Sequence, residues 1–254
     1  MTSPGDLVRQ GGRAIARVPE KAPSLPAPVA APTRTLFRGI ATLRGKRALH
    51  PNGFASTATV TALGIEEMQG VELFERPAQH EAILRWSRAT GVPKPLPDAL
   101  GLAVRIPDAY GPERHQDLLL TSSLPLPGSR HLPLPALGGF AGTLFSSLLS
   151  FEIAGETRLV SARATPARRS SWDLDGWRAE SQGQTFELSV ASPRGPWKQF
   201  AELAVGQPVP DEIEVALEMN PWNSGGGIEP RGPLMDLRAP AYEGSIAGRR
   251  SRGG

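Results

Sequence analysis

His50 stands in the stretch RALHPNG, residues 47–53. Pro51 disfavours helical backbone at His50, and Pro51-Asn52-Gly53 reads as a tight turn with Gly53 free to take positive φ. The spacing therefore predicts an imidazole held at a fixed angle where a strand begins; a structural histidine is the other reading. His80, His115 and His131 are the remaining histidines. None is paired at metal-ligand spacing. In "HQD" (115–117) His115 and Asp117 share one side of a strand, and an exposed histidine beside an acidic neighbour in a turn is expected. His80 and His131 read as surface or loop residues. Of the two tyrosines, Tyr110 lies in the turn "PDAYGPE" and is expected to be exposed. Tyr242 follows Arg238 by four positions, so on a helix the two share a face. A guanidinium beside a phenol favours the phenolate, a hard anionic ligand suited to ferric iron; an ordinary i, i+4 surface contact is the alternative.

Other chemistries find no support. The chain lacks cysteine, which excludes disulfides, thiolate metal sites and Cys nucleophiles. There is no G-x-S-x-G, no Walker loop and no dinucleotide fingerprint. The glycine-rich "NSGGGIEP" does not follow a strand and open a helix. A hydrolase such as a phosphodiesterase would need paired H-x-[ST] motifs or a metal cluster, and neither is present. The net charge is only +3 and much of the basic excess lies in the tail "GRRSRGG", so no nucleic-acid partner is expected. No apolar stretch at the N-terminus resembles a secretory signal, and a cytoplasmic location is expected. Prolines, glycines and serines in 132–150 argue against a membrane span; a loop followed by a short buried helix is expected there.

The elements that must position His50 and Tyr242 are mainly β. With 26 prolines and 28 glycines in 254 residues, short elements and many turns are expected. Residues 1–34 read as a flexible Pro/Ala-rich arm and 250–254 as a disordered basic tail. Between them, 35–249 reads as one domain. Strand-like runs occur at 55–63, 81–89, 99–107 and 116–123. After the 132–150 segment they resume at 157–165, 171–180, 184–192 and 198–206, with "SQGQ" as a hairpin turn. Eight antiparallel strands can close into a barrel. A helix interrupted by Pro240 is expected over 234–249.

Four of these segments, in this order, resemble the catalase family: "GKRALHPNGFASTA" (45–58), "ILRWSRATGVPKPLPDALGLAVRI" (83–106), "DLLLTSS" (117–123) and "GPLMDLRAPAYEGSIAGR" (232–249). The last resembles the proximal Arg-x-x-x-Tyr helix of small bacterial catalase-like haem proteins. The resemblance spans roughly residues 36–249. It implies an eight-stranded antiparallel catalase-like β-barrel with a few flanking helices, and haem b as cofactor.

It also implies roles. His50 would be the distal acid–base residue, supported by Ser87. Tyr242 would be the proximal iron ligand, held as phenolate by Arg238. Arg47 and Arg85 would pair with the haem propionates. Thr121 stands where catalases carry a distal asparagine, and a hydroxyl cannot reproduce an amide. Pro240 falls inside the Arg-x-x-x-Tyr spacing. The expected activity is peroxidase or weak catalase action on hydrogen peroxide or organic hydroperoxides, with a homodimer as one expected assembly. A binding protein on the same barrel without redox activity, holding an apolar or lipid-like ligand in the barrel, is the alternative.

Overall fold

The computed structural model describes residues 52–89, 98–127 and 129–231. The elements in chain order are β1 (Asn52–Ala62), β2 (Ala78–Arg88), β3 (Leu100–Ile106), β4 (Gln116–Ser123), β5 (Leu144–Ser146), β6 (Phe151–Ile153), β7 (Glu156–Thr165), α1 (Leu174–Glu180), β8 (Thr185–Ala191), β9 (Lys198–Pro208), α2 (Asp211–Ala216) and β10 (Ile228–Pro230). Every strand pairing is antiparallel. The ring runs β1-β2-β3-β4-β5-β7-β8-β9 and returns to β1, with the β7–β8 pairing completing it. This is the expected eight-stranded barrel. Closure leaves its strands without free edges. β6 and β10 form a small ladder against the start of β7.

Alternation in the sequence sets which side chains enter the lumen. In β1, Phe54, Ser56, Ala58, Val60 and Ala62 are buried, while Thr57, Thr59 and Thr61 are half-buried on the other face. Their partners in β2 place Leu84 and Trp86 inward and Ile83, Arg85 and Ser87 outward. The lumen is a packed core. Trp177 of α1 meets Trp86 edge-on at 5.3 Å and stacks on Phe140 at 5.3 Å. Phe145 and Phe186 complete the cluster. Each such aromatic pair adds about 0.5–1.5 kcal/mol beyond its burial. The indole N–H of Trp86 donates to Ser56 Oγ at 3.1 Å. An apolar ligand inside the barrel would have to displace this packing.

Three sequence expectations are corrected. The run 171–180 is not a strand: Asp173 caps α1 by accepting from Gly176 N, and Trp177, one turn after Leu174, is fully buried. The helix thus packs against β1 and β2 through Trp177, and "SQGQ" links it to β8 rather than forming a hairpin. The missing eighth strand is β5, within 132–150, where a loop and a buried helix are expected; three residues are too short to show alternation. Asn52 and Gly53 belong to β1 rather than to a tight turn. Gly53 is required there by close approach: a Cβ would lie 2.4 Å from Trp86 O and 2.9 Å from an Arg85 guanidinium nitrogen.

Candidate functional site

Outward-facing residues of successive strands fall into register rows. One row reads Gly53, Ser87, Gly101, Thr121, Ser146, Ser161 and Ser189, from β1 through β2, β3, β4, β5 and β7 to β8. Every member is glycine, serine or threonine. The row lies outside the lumen, yet Ser87, Gly101, Ser146, Ser161 and Ser189 are buried. Ser87 Oγ donates a long bond of 3.5 Å to Gly101 O. The adjacent row begins Ala55, Arg85, Ala103, Leu119. Four of the outward positions on β1 and β3 are therefore glycine or alanine, and only Gly101 stands between Ser87 and Thr121 in register.

Arg85 borders this small-residue floor and is buried. Its Nε donates to Glu214 Oε1 of α2 at 2.5 Å, joining residues 129 apart in sequence. The two side chains are 6% and 9% exposed. Around them Ala55 and Ile83 pack against Val209 and Leu217, with Ile213 and Met219 alongside. This small apolar cluster seats α2 on the outside of β1 and β2.

A third outward row places Arg105 of β3 opposite Asp117 of β4. Their ion pair is bidentate, with Nε to Oδ1 at 2.7 Å and Nη2 to Oδ2 at 2.6 Å, and both side chains are 0% exposed. Arg105 also donates to Glu218 O at 2.8 Å. Asp117 Oδ2 accepts from Asn220 N at 2.9 Å and Asn223 Nδ2 at 2.8 Å. A buried pair survives only when its remaining donors and lone pairs are satisfied, and the 218–223 segment supplies them. The pair pins that segment to the barrel.

Of the sequence-predicted site residues, the structure brings Ser87, Thr121 and Arg85 to one face of the sheet. His50, Arg47, Arg238 and Tyr242 lie outside the described residues, as do the 1–34 arm, the 234–249 helix with Pro240, and the 250–254 tail. Sequence reasoning missed Glu214, Arg105 and Asp117 as partners. Charged residues inside the apolar runs "LGLAVRI" and "QDLLLTSS" were the available signal.

His115 is buried, not exposed: its Nδ1 accepts from Asp108 N at 3.0 Å, and Asp117 turns away to Arg105. Burial, reinforced by the Arg105 charge, holds its pKa below the ordinary imidazole value, against the opposing carboxylates of Asp117, Asp108 and Glu113. Tyr110 is half-buried rather than exposed. Its hydroxyl donates to Gln116 Oε1 at 2.9 Å, and burial raises its pKa. The glycine-rich loop passes over its ring, where a Cβ on Gly226 would lie 2.4 Å from the nearest ring carbon. The half-buried rings of His80 and His131 bond the carbonyls of Leu73 and Leu148.

A planar macrocycle can lie against a sheet only where outward side chains are short; Gly101 and Ala103 meet that condition on β3, while the Arg85 guanidinium lies over Gly53. Ser87 and Thr121 place hydroxyls on either side of Gly101. No group of three or more His, Asp or Glu among the described residues could hold a bare metal ion.

No family model and no curated protein matches this sequence. Among solved structures, the fold is similar to that of a fungal catalase determined at 1.9 Å, with a TM-score of 0.59 and 11% sequence identity. The alignment covers 82% of this chain and 59% of the catalase chain, so the protein spans about three-fifths of that enzyme's length. No described helix is long and apolar enough to cross a membrane. The chain has a catalase-like β-barrel fold.

Proposed function

We propose that this protein binds haem b on the outer face of β1–β4 and acts on hydrogen peroxide or an organic hydroperoxide, as a peroxidase or weak catalase. The observation that carries this reading is the register row Gly53–Ser87–Gly101–Thr121. It sets two hydroxyls on either side of Gly101 on one outer face, and the row's first member lies three positions after His50 in sequence.

Bound haem would supply a ferric iron that exchanges electrons with the peroxide. His50 would take the proton from the incoming peroxide and return it to the leaving oxygen. Ser87 would hold the imidazole by a hydrogen bond. Thr121 would donate one hydrogen bond to the substrate, where an amide offers two donors and a fixed plane. Tyr242 would ligate the iron, with Arg238 favouring its phenolate form. Arg47 and Arg85 would meet the propionates.

The Arg85–Glu214 pair and the threonine at 121 favour a second reading, in which the same face binds its cofactor without peroxide turnover. Both readings place no demand on a nucleic acid, and a homodimer is compatible with either. Peroxide consumption by the hemin-loaded protein separates them. Turnover that falls at least about tenfold in His50→Ala supports the first. Turnover no greater than that of free hemin supports the second.

A further inference from the structure

We propose that Glu214 is a built-in competitor for Arg85, so that a carboxylate on a bound cofactor must replace it to reach the guanidinium. This rests on the haem reading above. Arg85 Nε is engaged by Glu214 Oε1 at 2.5 Å, with both side chains buried. Arg85 projects from the same face as Ser87, one residue pair along β2, so its guanidinium is the cation nearest the small-residue floor on that strand. A propionate arriving on that floor therefore meets an arginine whose charge is already balanced.

The element carrying Glu214 is suited to giving way. Helix α2 has six residues, under two turns, and Pro210 at its start provides no side-chain cap. Such a helix has little stability of its own. Its contacts among the described residues include the Arg85–Glu214 pair, an exposed pair between Arg178 and Asp211, and the small cluster around Ile213. Exchanging one carboxylate for another keeps Arg85 neutralised in both states. The strong penalty for a lone buried charge is thereby avoided.

The test compares hemin with hemin dimethyl ester, which has the same ring and iron but no carboxylates. Each is titrated into the full chain and into Glu214→Gln, with affinity read from the absorption change. The expected result is that E214Q binds hemin about tenfold or more tightly than the unaltered protein, the equivalent of one charge-assisted hydrogen bond, while the ester binds both equally. Equal hemin affinity in both proteins overturns the proposal and leaves the haem reading intact. Failure of both porphyrins to bind either protein overturns both. The double variant R85M/E214L replaces the pair with apolar side chains. It is expected to show a smaller preference for hemin over the ester than E214Q does, Arg47 being still in place, and an equal preference in the two variants overturns the proposal. Should E214Q fail to fold, E214L takes its place in both comparisons.

Discussion

Ser87 and Thr121 stand two strands apart on the same outer face of the barrel, with only Gly101 between them in register. Two strand spacings separate their backbones by about 9.5 Å. Trp86 and Leu120, their neighbours in sequence, point the opposite way into the packed lumen. The alternation that builds the core thus also delivers two hydroxyls to one external floor.

Thr121 is expected to limit peroxide turnover without affecting cofactor binding. Thr121→Val removes its donor and should lower peroxide consumption by about tenfold, with hemin affinity unchanged. Thr121→Asn should raise consumption above that of the unaltered protein. Initial rates at saturating hemin decide this, and an inactive T121N with a fast T121V would contradict the assigned role.

The Arg105–Asp117 pair should matter far more broken than absent. Asp117→Ala strands a buried guanidinium and should cost about 3–5 kcal/mol of unfolding free energy. Replacing both residues, as in R105M/D117L, should cost markedly less. Urea denaturation measures both. An additive double variant would show that the pair is not a unit.

Acid should weaken the fold through His115. Its folded-state pKa lies below the unfolded value because burial disfavours the charged ring. The unfolded chain therefore binds more protons, and stability is lost as pH falls below about 6.5. The loss continues down to the depressed folded value. His115→Asn keeps an acceptor for Asp108 N but does not titrate, and should flatten this part of the profile. Unfolding midpoints between pH 7.5 and 5 that fall equally in both proteins would contradict the assignment.

The strands were legible wherever alternation ran for seven residues or more. β4 begins and ends where the sequence suggests, and β1, with its inward Ala58, Val60 and Ala62 and outward threonines, differs by a few residues at its start. β5 was not legible, because its three residues carry no period and lie among glycines and serines. The run 171–180 reads as a strand, but Asp173 is placed to cap a helix, and spacing by three puts Leu174 and Trp177 on one side. That Ser87, Arg85 and Thr121 share an outer face follows from alternation within the runs 81–89 and 116–123. Glu214 could not be placed in this way, since nothing local marks a carboxylate that will meet an arginine 129 residues away. The same holds for the way Asn220 and Asn223 close on Asp117.

The haem reading stands or falls on Tyr242 as the iron ligand, which a hemin titration addresses. Hemin added to the full chain should produce a saturable Soret band with a ferric-tyrosinate spectrum, and Tyr242→Phe should abolish that spectrum or weaken hemin binding at least about tenfold. A Tyr242→Phe protein that binds hemin with the same affinity and the same spectrum as the unaltered chain would contradict the account.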